Sequence, residues 1–148
     1  MGTPIGSIIS VSASTPATVD ASGFGALTFT QVGHIASIPP YGDTSQDVAL
    51  PADLETGRVA HINGPLDGGE IGPITCHTED MADGGQDIVR SGSNTNTTHS
   101  FKITKPSGDI DYFHGLIANY RPSAREGGGY EGCEFVVRVN TAVVTVEA

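Results

Sequence analysis

The run His99-Ser100-Phe101-Lys102-Ile103-Thr104-Lys105-Pro106-Ser107-Gly108-Asp109-Ile110-Asp111-Tyr112-Phe113-His114-Gly115 decides the fold class. His99, Phe101 and Ile103 alternate with Ser100, Lys102 and Thr104, which is the period of a strand with one buried face. Pro106 to Asp109 supplies turn residues in the right order, and a second apolar run continues from Ile110 to Ala118. The stretch therefore predicts an antiparallel β-hairpin.

Downstream, Tyr120 to Tyr130 reads as a loop holding Gly127-Gly128-Gly129. Cys133, Phe135, Val137 and Val139 then alternate with Glu134, Val136, Arg138 and Asn140, and a last strand runs from Val143 to Val146. Upstream, Glu79 to Arg90 is the one helix expected, with Thr78 as N-cap, acidic residues in its first turn and Arg90 in its last. Gly84-Gly85 weakens it by about 1 kcal/mol per glycine relative to alanine. Further strands are expected over Thr28 to Val32, Ile35 to Ile38 and Ile71 to Thr78. About seven short strands and one short helix predict a mainly β chain: an antiparallel β-sandwich or barrel with one flanking α-helix and a long loop or hairpin.

Two segments carry little core. Residues 1–23 are rich in Ser, Thr, Ala and Gly and are expected to form a flexible N-terminal arm, with Ile8 to Val11 its one compact β-like piece. Residues 41–72 hold Asp43, Asp47, Asp53, Glu55, Asp67 and Glu70 against Arg58 alone. A loop this long inside a compact domain usually has a binding or assembly role. Arg58 to Ile62 is a candidate arm of an extended hairpin, with Asn63-Gly64 as its turn.

At 148 residues the chain has room for one domain, 1–148, and no second catalytic one. Seven Lys plus Arg against 17 Asp plus Glu give a formal charge of −10, which disfavours any partner gripped through phosphates. No apolar stretch approaches membrane-spanning length, so no membrane anchor is expected. The opening Met1 to Gly6 lacks the basic-then-apolar pattern of a leader, which predicts synthesis in the cytoplasm. Cys76 and Cys133 are the only cysteines and are expected as free thiols.

No catalytic residues, metal or cofactor are expected. Cys76-His77-Thr78-Glu79-Asp80 gathers four potential ligands, but neighbours on a strand point to opposite faces, and no second Cys/His pair stands at a fitting spacing. The five histidines accompany neither a Gly-x-Ser-x-Gly elbow nor a His-Glu-x-x-His pair. The glycine clusters lack the strand, helix and lysine of a phosphate loop. A solvated acidic face and flexible tips account for these residues without any chemistry.

The segment Phe101 to Gly115, a strand, a Pro-x-Gly turn and an aromatic-x-Gly strand after a short helix, resembles the tail tube (major tail) proteins of long-tailed, non-contractile, lambda-like phages. The order of elements from Phe24 to Val146 is similar as well. The resemblance implies a virion structural protein: a siphovirus tail tube subunit whose hexameric rings stack around a lumen. DNA passes through that lumen during genome ejection without specific binding. Partners implied are the chain itself, a tape-measure protein, a tail terminator and baseplate proteins. Residues 41–72 become the assembly loop, with Tyr41, Asp43, Asp47, Asp53, Glu55 and Arg58 as intersubunit or inter-ring contact candidates. Arg121 and Arg125 are candidates to meet that acid across an interface. The residues lining the lumen are not assigned. The chain departs from the family in its glycine-weakened helix and in lacking an appended immunoglobulin-like domain. The alternatives are another virion or secretion-tube component of related fold, or a β-sandwich ligand-binding module. The latter needs exposed aromatics, which 6% aromatic content without Trp supplies poorly.

Overall fold

The computed structural model describes residues 2–148. Ten strands and two helices are formed among them: β1 (Ile8–Ser12), α1 (Ala21–Gly25), β2 (Thr30–Gln31), β3 (Ile35–Ser37), β4 (Thr44–Ala49), β5 (His61–Asp67), β6 (Glu70–Cys76), α2 (Gly84–Gly92), β7 (His99–Thr104), β8 (Ile110–Pro122), β9 (Cys133–Val139) and β10 (Val144–Val146). The predicted hairpin is β7–β8. Phe101 faces Phe113 across it, and Lys105 closes the turn with backbone bonds to Gly108 and Asp109.

The main sheet is antiparallel and runs β2-β1-β7-β8-β9-β6-β3, so the mainly β class is as expected. β8 is long enough for its second edge to be shared, β10 pairing at Ile110 to Tyr112 and β9 from Gly115 onward. The sheet curls until its two end strands are consecutive pieces of one segment. Val32 N donates to Ile9 O at 2.9 Å, and two residues later His34 O accepts from His77 N at 2.8 Å. His34 takes positive φ (64°) at that switch. Inside the curl pack Ile9, Val11, Ile74, Phe101, Phe113, Phe135 and Val137, all at most 2% exposed. Phe101 and Phe113 stack at 5.5 Å. The opposite face of β8 is covered by α1, whose buried Phe24 stacks on Tyr112 at 5.4 Å.

Three expectations are corrected here. Within residues 1–23, Ile8–Ser12 is an inner strand between β2 and β7, because Ile9 and Val11 complete the core. The same N-terminal region ends in α1, a short helix capped by Asp20, whose carboxylate accepts from Gly23 N at 2.7 Å. The predicted helix starts later, at Gly84, with Asp83 rather than Thr78 as its cap. Its start is set by tertiary contacts. The Asp83 carboxylate also accepts from Gly33 N at 2.7 Å, tying the cap to the β2–β3 switch.

The glycine pair that weakens the helix locally is what lets it dock. A Cβ on Gly85 would lie 2.2 Å from Gln31 O, so only glycine permits this approach. Beside it, Gln86 is 1% exposed and spends its amide on three backbone groups: Nε2 donates to Gly33 O at 3.0 Å and Thr78 O at 2.9 Å, and Oε1 accepts from Asp80 N at 2.9 Å. Gln86→Ala strands those buried groups and is expected to lower stability by about 2 kcal/mol in urea unfolding. A loss under about 0.5 kcal/mol would show that the bonds add nothing over water.

Candidate assembly surface

β4 and β5 form a two-stranded sheet of their own, apart from the curled sheet. The long segment is therefore a hairpin, and its turn lies between Leu50 and Ala60. Asn63-Gly64, expected as the turn, sits inside β5. Val48 pairs directly with Ile62, and Ser45 with Leu66. By alternation Val48, Leu50, Ala60, Ile62 and Gly64 share one face, whereas Asp47, His61 and Asn63 occupy the other; a register shift between Ser45 and Asp47 puts Leu66, the partner of Ser45, on that second face. Gly64 confirms the facing, since a Cβ there would meet a Val48 methyl at 2.9 Å.

The apolar face is open to solvent. Val48 is 39% exposed, Leu50 41% and Ile62 52%, and Leu54 at the tip is fully exposed. The polar face is bonded within itself: His61 Nδ1 lies 2.9 Å from the Asp47 carboxylate, and Ser45 Oγ donates to Asn63 Oδ1 at 3.2 Å. The hairpin is thus amphipathic, with the wrong face uncovered for a lone chain. These apolar residues were not singled out from sequence. The signal was present in the alternation Val48-x-Leu50 and Ala60-x-Ile62, which Gly64 and Pro65 then interrupt.

The eight candidate residues divide by location. Tyr41 stands at the hairpin base, half-buried, and its hydroxyl donates to Asp111 Oδ2 at 2.5 Å. Burial and the neighbouring carboxylate push its pKa up. It is an internal brace in this chain. Asp43 is exposed beside Leu66 and Asp67, and Asp47 belongs to the polar hairpin face. Asp53 shapes the tip, accepting from Glu55 N at 2.7 Å and Thr56 N at 3.2 Å. Glu55 and Arg58 are exposed there and form no ion pair among the described residues. Arg121 and Arg125 already pair within the chain, with Glu134 at 2.7 Å and with Glu131. Both arginines are more than two thirds exposed, so these are weak surface pairs.

The Cys-His-Thr-Glu-Asp run is splayed, as alternation dictates. Cys76 points into the core and His77 is exposed, packing edge-on against His34 at 5.4 Å. No group of three or more His, Cys, Asp or Glu among the described residues is placed to hold a metal.

Cys76 and Cys133 are direct cross-strand partners between β6 and β9, a pairing the sequence left open; both are free thiols with no exposure. The two adjoining thiols act on each other, so that the Cys76 pKa rises and that of Cys133 falls, the latter helped by Tyr120 against the opposing effect of burial. The Tyr120 hydroxyl in turn donates to Glu79 Oε2 at 3.0 Å, and the Arg90 guanidinium lies 5.5 Å from the centre of the Tyr120 ring. Because both sulfurs are sealed, Ellman's reagent is expected to leave the native protein unlabelled over minutes at pH 8 and to find two thiols per chain in denaturant. Rapid labelling of either in the native state would place it within reach of solvent.

A comparison with models of known protein families finds no match, and no curated protein matches the sequence. No helix among the described residues is long and apolar enough to cross a membrane.

Proposed function

We propose that this chain is a self-assembling structural subunit, the tail tube protein of a long-tailed phage, built into stacked hexameric rings in the virion tail and not an enzyme. One observation carries the reading: an amphipathic hairpin stands off the body with its apolar side chains in water. An isolated two-stranded hairpin is marginal in water, and burying its apolar face on another copy supplies what the monomer lacks. The acidic balance suits a conduit for DNA, since a charge of −10 repels phosphates and lets the polymer slide. The tape-measure, terminator and baseplate proteins would be its further partners.

A ligand-binding module is supported less well, because the apolar groove beside β3 contains a single aromatic side chain, Tyr41, whose hydroxyl is already bonded to Asp111. Negative-stain electron microscopy of the concentrated protein, with light scattering for its mass, tests the proposal. Hollow tubes or rings with an axial pore are expected. Closed assemblies without a pore would favour a different virion or secretion component.

A further inference from the structure

Cys76 and Cys133 lie outside the hairpin surface, and the fold sets them against each other. They are direct partners in the β6–β9 ladder, both without exposure, although 57 residues separate them in the chain. Directly opposite residues of antiparallel strands have Cα atoms about 4.5 or 5.5 Å apart, inside the span of about 4.4–6.8 Å that a disulfide bridges. A bond between the sulfurs therefore needs no change of register. The pair also stands at strand ends: Cys76 is the last residue of β6 and Cys133 the first of β9. Beside them runs the exposed segment Ala124 to Glu131, with Gly127-Gly128-Gly129 inside it. It leads into Gly132, which packs so closely that a Cβ there would lie 2.0 Å from Cys76 O. Strand ends and exposed loops open at little cost, so a local opening at Gly132 admits a water-sized reagent to sulfurs that are sealed against a large one.

We propose that Cys76 and Cys133 form a redox pair, free thiols in a reducing compartment and an intrachain disulfide once a peroxide reaches them. The chemistry lies within one copy and needs no assembly. Cys133 is the first nucleophile: contact with Cys76 and Tyr120 and the charge of Arg90 lower its pKa against burial and the charge of Glu79, whereas Cys133 and burial raise that of Cys76. The Cys133 thiolate attacks one peroxide oxygen and the O–O bond breaks. The other oxygen leaves as hydroxide, which takes up the proton that Cys133 released and becomes water. Cys76 then attacks the Cys133 sulfenic acid: the S–S bond forms, the S–O bond breaks, and the hydroxyl leaves with the Cys76 proton as a second water. The two thiols lose two electrons and the peroxide gains them. The disulfide closes a long loop and fixes the end of β6 to the start of β9, so the oxidised chain resists unfolding better than the reduced one.

Hydrogen peroxide in molar excess over the full-length native protein at pH 8 tests the pair. Over hours both thiols titratable in denaturant are expected to disappear at a rate independent of protein concentration. The product should be lighter by two hydrogens, should join the Cys76 and Cys133 peptides in a tryptic digest, and should unfold at a higher urea midpoint than the reduced protein. Dithiothreitol is expected to restore both thiols and the original midpoint. Survival of both thiols, their loss as sulfinic or sulfonic acids without the cross-link, or disulfides that join separate chains would each overturn the pair. Single variants then assign the order of attack: dimedone is expected to trap a sulfenic acid at Cys133 in Cys76→Ala faster than at Cys76 in Cys133→Ala. The reverse order overturns Cys133 as the first nucleophile. The wild-type measurements do not depend on the folding of either variant.

Discussion

Replacing Ile62 with aspartate is expected to leave the melting temperature of the monomer almost unchanged and to abolish assembly. The side chain is already 52% exposed, so the folded monomer loses little by the change, within about 0.5 kcal/mol. In an assembly that buries the hairpin face, the side chain contributes roughly 1.5–3 kcal/mol. Its loss, with a carboxylate left in an apolar contact, weakens association at least a hundredfold. Light scattering and electron microscopy read the assembly, and calorimetry reads the fold. Normal tubes from this variant would remove the hairpin face from the interface. A matching control comes from the other side of the hairpin: His61→Ala removes a solvent-exposed pair with Asp47 and should alter assembly little.

Asp111→Ala is expected to cause the largest loss of stability in the monomer, about 3–5 kcal/mol. Asp111 is 3% exposed and gathers three partners: Tyr41 Oη, Lys105 Nζ at 3.1 Å and Thr145 Oγ1 at 2.8 Å. These come from the hairpin base, the β7–β8 turn and β10, so one carboxylate ties three otherwise separate pieces of chain. Removing it leaves a phenol and a hydroxyl without their acceptor and an ammonium without its counterion. Asp111→Asn keeps the shape and loses the charge, and should fall between the two.

The same residue predicts acid sensitivity. Burial alone would raise its pKa, but the three donors and the Lys105 charge hold it below the usual carboxylate value. A carboxyl whose folded pKa is depressed binds fewer protons folded than unfolded. Its contribution is therefore whole above about pH 4, the unfolded value, and is lost as pH falls further through the folded pKa. Urea midpoints measured from pH 6 down to pH 3 should fall less steeply below pH 4 in Asp111→Asn than in the wild type. Parallel slopes would show that Asp111 titrates as an ordinary surface carboxyl.

What was legible in the sequence were the pieces governed by local chemistry. The alternation from His99 to Thr104 and from Cys133 to Val139, and the turn at Pro106 to Asp109, each follow from side-chain period and backbone preference within a few residues. They place the β7–β8 hairpin and β9 where they are found. Fold class followed from their number. Pieces that depend on distant partners were not legible in the same way. Helix α2 starts at Gly84 because Gly33, Thr78 and Gln31 receive it there, and nothing near Asp83 in sequence says so. The short β1, in a stretch of Ser, Thr and Gly, is a strand because its neighbours β7 and β2 leave a place for Ile9 and Val11. Cys76 and Cys133, 57 residues apart, meet through strand register. The candidate surface divides along the same line. Its acidity and length were readable as composition, whereas its apolar face depends on which residues alternate across β4–β5 and on what that hairpin does not touch. Composition and period are properties of neighbouring residues, and burial is a property of the whole packed chain.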